Sequence, residues 1–231
     1  MYDRLTIGAS AEELEKKYEA KIETGFVPTY NAAPTQKHPI ITNKKPGQIQ
    51  LFHWGLISKL SNNKSISPRL FNLSTEMALN RPMFQKPLAQ NRCAVIVDGF
   101  YVWKKLSKKQ LIPYFFCFND RALFTIAGIW EEFEDFDGSV SRSFNMLTTT
   151  ASKPLSAFQE DQPVILTTET AKTWLSDYSK PEQIRAILEN IQQIDLNYHP
   201  VSPLINNLKI YDQRLIEPTQ PSDQHGNYTL F

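Results

Sequence analysis

The side chains that could carry chemistry in this chain are few and scattered. Its two cysteines, Cys93 and Cys117, sit in apolar, strand-like runs, Cys93-Ala-Val-Ile-Val97 and Tyr114-Phe-Phe-Cys-Phe118. Such runs bury their side chains, so two buried thiols are expected rather than a disulfide. The four histidines, His38, His53, His199 and His225, have no His or Cys partner at metal-ligand spacing, which argues against a zinc site and against any metal cofactor. Cations gather in two places. Lys104, Lys105, Lys108 and Lys109 crowd what reads as a hairpin turn, where solvated lysines are ordinary. Lys59, Lys64 and Arg69 stand in the polar stretch 58–69, which lacks periodicity and reads as a surface loop able to carry function. The acidic run Glu131-Glu-Phe-Glu-Asp-Phe-Asp-Gly138 reads as a solvated turn that blunts a sheet edge.

A β-rich chain must position these groups. Ser10 and Glu13 have the spacing of a capping box, so a helix is expected over 10–20. Strands are expected over 38–42 and 49–56, paired as a hairpin across Asn43-Lys-Lys-Pro-Gly47. A short helix at 75–80 should stop before Pro82, and strands should follow at 92–103, 112–118, 122–133, 143–149 and 163–167. Trp54, Trp103 and Trp130 fall on these strands and are expected in the core. Helices at 169–175 and 181–191 precede a Pro-rich, irregular tail from 197. The pattern predicts an α+β fold, a mostly antiparallel multi-stranded sheet or barrel with surrounding helices. One domain of 1–231 accommodates it, with a core of 1–217 and a tail of 218–231.

Composition sets the outer bounds. With 41% hydrophobic and 21% charged residues the chain is globular. Its 25 basic and 24 acidic residues leave a formal charge of +1, so no global field draws in a polyanion and any nucleic-acid contact must be a local patch. No run of about 18 apolar residues occurs, and the N-terminus has no apolar leader, which points to the cytoplasm and away from a membrane.

Several short segments, taken in order, form a recognisable series. They are Tyr30-Asn-Ala-Ala-Pro-Thr-Gln36, Phe52-His-Trp-Gly-Leu-Ile57, Phe71-Asn-Leu-Ser-Thr-Glu76, Arg92-Cys93 with Asp98-Gly-Phe-Tyr-Val-Trp103, Ala127-Gly-Ile-Trp-Glu131, Leu147-Thr-Thr-Thr-Ala151 and Pro163-Val-Ile-Leu166. In order and spacing the chain resembles the SOS response-associated peptidase family from position 1 to about 217. The resemblance implies a role in the DNA damage (SOS) response, at abasic sites in single-stranded DNA. In that family an N-terminal cysteine closes a thiazolidine on the ring-opened sugar. A Glu in Gly-Phe-Tyr-Glu-Trp and a His in His-Asp-Arg-Met-Pro move the protons, and the Asn of Asn-Ala-Arg positions the sugar.

Three of those four positions are changed. The cysteine position is Tyr2, the glutamate position is Val102 and the histidine position is Gln159, while Asn72 is retained. A phenol cannot close the thiazolidine ring, and neither Val nor Gln titrates. On the DNA side Arg4, Asn72 and Glu76 survive, and Lys59 and Arg69 are the nearby cations. Ser74 and Asp161 replace two family arginines, and Ser58-Lys59-Leu60 replaces a Pro-x-Trp. Asn72 reads as a sugar contact or as a helix cap; Arg4 reads as a phosphate contact or as the partner of an acidic neighbour such as Glu76. The resemblance therefore implies a pseudoenzyme of the peptidase scaffold that binds single-stranded DNA weakly and without a crosslink, with no cofactor. Two alternatives stay open: a reversible imine formed by the α-amine, and a protein- or peptide-binding module.

Overall fold

The computed structural model describes residues 3–55, 71–107, 110–134, 138–191 and 195–228. The N-terminal part comprises β1 (Leu5–Ile7), α1 (Ala11–Tyr18), β2 (Lys21–Ile22), β3 (Thr29–Ala32), β4 (Lys37–Thr42) and β5 (Lys45–Trp54). Next come β6 (Asn72–Ser74), α2 (Thr75–Asn80), α3 (Pro82–Gln90), β7 (Arg92–Val97), β8 (Gly99–Ser107) and β9 (Gln110–Cys117). The chain continues through β10 (Phe124–Glu134), β11 (Val140–Thr150), β12 (Asp161–Pro163), β13 (Ile165–Leu166), α4 (Thr168–Leu175), α5 (Pro181–Glu189) and β14 (Asn197–Pro200).

Five strands close on themselves. β11, β10, β7, β4 and β5 pair antiparallel in that order, and β5 returns to β11 through a parallel pairing of His53 with Ser143 and Trp54 with Phe144. Closure removes the exposed edges that an open sheet would leave. A second, antiparallel sheet runs β14-β9-β8-β1-β3. The expected α+β architecture of a mostly antiparallel barrel with surrounding helices is the one observed.

Apolar residues fill the space between barrel and sheet, among them Ile40, Trp54, Phe100, Val102, Phe116 and Phe144. The outer wall of the barrel buries Leu73, Ala127 and Leu147 beneath the helices, with Trp174 of α4 and Ile184 of α5 over them. The far side of the second sheet is covered by the C-terminal segment, where Val201, Ile205 and Leu215 meet Tyr101 and Phe115. Both cysteines are buried, and burial raises the pKa of each thiol.

Local signals account for several elements. Ser10 caps α1, its side chain accepting from Glu13 N–H while Glu13 accepts from Ser10 N–H. Other expectations are corrected. The run 92–103 is two strands, because the chain leaves the barrel for the second sheet at Asp98. That carboxylate, 3% exposed, accepts from Thr6 Oγ1, from Gly8 N–H at 2.8 Å and from Arg121 at 2.7 Å, pinning β1 to the crossing. Gly99 follows because a Cβ there would sit 2.3 Å from the Phe115 ring. The helix expected at 75–80 is α2 and stops before Pro82 as expected, but Pro82 itself opens a further helix, α3, at a position where a missing N–H costs nothing. Residue 197 begins a strand, β14, which adds to β9 and spends its backbone polar groups on that ladder. β8 extends to Ser107, so Lys104 and Lys105 lie on a strand; Lys108 and Lys109 lie outside the described residues.

Candidate functional site

β8 and β9 present alternate side chains to the main core. Phe100, Val102 and Lys104 lie opposite Phe116, Tyr114 and Ile112, so all six project from one face of the second sheet. Val102 is 0% exposed. Two residues on, Lys104 Nζ lies 5.7 Å from the centre of the Phe158 ring. Phe158 closes the short turn Leu155–Ala157 and packs on Tyr114 at 4.9 Å and Phe116 at 5.1 Å. Gln159 is the next residue, and its amide donates to the Asp161 carbonyl at 2.8 Å. Positions 102 and 159 are thus linked through Phe158, which packs on Tyr114, the cross-strand partner of Val102, and directly precedes Gln159.

Asn72 lies on a strand added to the barrel. β6 runs parallel to β11 with Asn72 beside Met146, a core residue, so Asn72 shares the core-facing side of the ladder. It is not the helix cap: Ser74 Oγ accepts from Met77 N–H at 3.1 Å and caps α2. Glu76 is exposed in the first turn of α2, where a carboxylate suits the helix dipole. Arg4 does not pair with Glu76. Its guanidinium turns back on Asp3, donating to the Asp3 carbonyl at 2.6 Å and lying 3.4 Å from the carboxylate. Burial pushes the Asp3 carboxyl above its ordinary range, with the Arg4 charge opposing. Tyr2, Lys59, Lys64 and Arg69 lie outside the described residues.

Trp54 is fully buried and its indole N–H donates to Phe71 O at 3.0 Å. Trp103 and Trp130 are only half-buried, and each donates to an asparagine, Asn206 and Asn43 respectively. The aromatic surround of Phe158 is absent from the sequence-based expectations. Its rings come from three distant segments, and the alternation of Tyr114 with Phe116 is the only local hint. Among the described residues no group of three or more His, Cys, Asp or Glu could hold a metal ion, and no helix is long and apolar enough to cross a membrane.

Comparison with known proteins places this geometry. Over 94% of the chain the fold superposes on a crystal structure of a protein from Bacteroides thetaiotaomicron, with a TM-score of 0.81, 21% identity and 99% of that chain covered. The abasic site processing protein YoqW of Bacillus subtilis is 30% identical over 197 residues, 84% of this chain and 88% of YoqW. The mouse abasic site processing protein HMCES is 27% identical, over 79% of this chain and 62% of its own length. Residues 1–208 match the family described as SOS response associated peptidase (SRAP). With that match spanning all but the last 23 of 231 residues, the chain belongs to the SRAP family.

Proposed function

We propose that this protein recognises abasic sites in single-stranded DNA without bonding to them covalently. The kinship with abasic site processing proteins supports the substrate class. One observation carries the loss of chemistry: the strand position that supplies a proton-transferring carboxylate in the family is Val102, at 0% exposure in an apolar core. Gln159 adds no titrating group, and Tyr2 offers no thiol. What remains is a binding surface with Asn72 toward the sugar and Arg4, Lys59 and Arg69 as the cations. Arg4 reaches a phosphate only by exchanging Asp3 for it, which weakens its contribution. Glu76 would orient neighbouring donors rather than meet phosphate, since like charges repel.

Fluorescence anisotropy with labelled single strands, with and without an abasic site, tests the binding half. Preference for the abasic strand is expected, with affinity falling as salt rises by a log–log slope of about 0.7 per phosphate contacted. Equal affinity for both strands would sink the abasic specificity. Denaturing gels test the chemical half. Neither the natural chain nor Tyr2→Cys should form a stable adduct, because a thiol alone does not replace the proton transfers. A robust crosslink from Tyr2→Cys would show that Val102 and Gln159 are no obstacle. A borohydride-trapped adduct of the natural chain would establish the α-amine route instead.

A further inference from the structure

Tyr198 occupies the middle of β14, the edge strand of the second sheet, directly opposite Phe116. Its ring lies 5.2 Å from that of Phe116 with only 20° between the planes, so Phe116 backs one face. Phe158 stands edge-on to it at 5.1 Å and 75°, and Tyr114 tilts in at 6.2 Å. Three rings therefore hold it still, yet Tyr198 is 46% exposed. Register puts it on the same face of the sheet as Val102 and Lys104. A ring that served only the core would be covered. This one has one face packed and keeps nearly half its surface in water, and the Phe158 ring that flanks it has Lys104 Nζ 5.7 Å from its centre.

We propose that the open face of Tyr198 is a stacking seat for one unpaired base of single-stranded DNA, with Lys104 meeting the adjoining phosphate. The inference rests on the single-stranded DNA reading above and adds where a base next to the lesion is held. The seat is continuous with the site: Val102 is the cross-strand neighbour of Tyr114, and Phe158 directly precedes Gln159. A nucleobase suits it better than an aliphatic ligand, because a flat ring already fixed on its inner face gives up little freedom when a second plane stacks on it. Stacking of this kind ignores base identity, so tolerance of all four bases is expected.

The test uses the full chain, labelled single strands of uniform length at low salt, and four variants. Tyr198→Ala should bind about 5- to 150-fold more weakly, the range for loss of one stacked base. Tyr198→Phe should bind like the natural chain, since the plane and not the hydroxyl does the stacking. Lys104→Gln should reduce the salt slope by about 0.7, one phosphate contact. Tyr178→Ala, at a side chain 97% exposed between α4 and α5, should change nothing. If the natural chain binds single strands and Tyr198→Ala binds equally well with an unchanged unfolding midpoint, the stacking seat is wrong and DNA binding stands. If the natural chain binds no single strand at all, the functional reading fails and takes the seat with it. Photocrosslinking of a 5-iodouracil-bearing strand to the peptide that holds Tyr198 gives an independent positive outcome; crosslinking confined to other peptides overturns the seat.

Discussion

Arg92→Met is expected to lower unfolding stability by about 3–5 kcal/mol, read as a fall in the urea midpoint with an unchanged slope. Arg92 is 1% exposed, yet its charge is not idle. Nε donates to Trp174 O at 2.7 Å, Nη2 to Ser176 O at 2.7 Å, and Nη1 to Leu88 O at 3.1 Å and to Ala89 O. Those carbonyls belong to the ends of α3 and α4, where helices leave acceptors unpaired and carry partial negative charge. One guanidinium thus ties two helix ends to the barrel strand β7. Burial pushes its pKa down, Asp177 opposes, and an arginine keeps its proton regardless. Met fills similar volume but satisfies none of the four acceptors. Arg92→Lys should fall between the two, since an ammonium cannot serve both helix ends from one point. A loss below about 1 kcal/mol for Arg92→Met would mean that water replaces the guanidinium at little cost.

The same residue shows what could be read from the sequence and what could not. Arg92 is visible there as half of an Arg-Cys motif, but its partners are 82 and 84 residues away at Trp174 and Ser176. Features set by neighbours in the chain were legible: the Ser10 and Glu13 capping box, the hairpin of β4 and β5, the helix at 75–80 and the apolar centres of most strands. Features set by distant contacts were not. Barrel closure depends on the parallel contact of His53 with Ser143, which leaves no local pattern. Asp98-Gly99 interrupts the apolar run 92–103, but what makes it a crossing between sheets is set by Thr6, Gly8 and Arg121, the partners of the Asp98 carboxylate, which lie far off in sequence. At the candidate site, motif order led to positions 72, 102 and 159, while the competition between Asn72 and Ser74 for the cap of α2 needed coordinates. Arg4 likewise had several acidic neighbours on paper and has Asp3 in space.

Acidification should destabilise the protein progressively from about pH 6.5 downward, and His38 is the cause. His38 lies on β4 opposite Phe52, inside the barrel at 1% exposure, with its ring 6.4 Å from that of Phe144. Nε2 lies 2.7 Å from Ile96 O, so the neutral ring carries its proton there and donates it to that carbonyl. Nδ1 is buried with no hydrogen-bond partner among the described residues, so a second proton there would be stranded. Burial pushes the pKa down to about 4, against the opposing effect of the Ile96 contact. As pH falls below about 6.5 the unfolded chain takes up a proton that the folded chain refuses until about 4. The stability present above pH 6.5 is therefore lost progressively over that window, by about 3 kcal/mol in all. Asp3 contributes with the opposite sign, because a carboxyl raised by burial stabilises the fold when protonated. The difference between the natural chain and His38→Gln isolates the histidine. Gln can still donate to Ile96 O but does not titrate, so its stability should be nearly flat between pH 6.5 and 4.5. Parallel curves for the two proteins would place the acid sensitivity elsewhere. A difference that opens steadily below pH 6.5 ties the integrity of the barrel, and with it the ladder that carries Asn72, to one neutral imidazole.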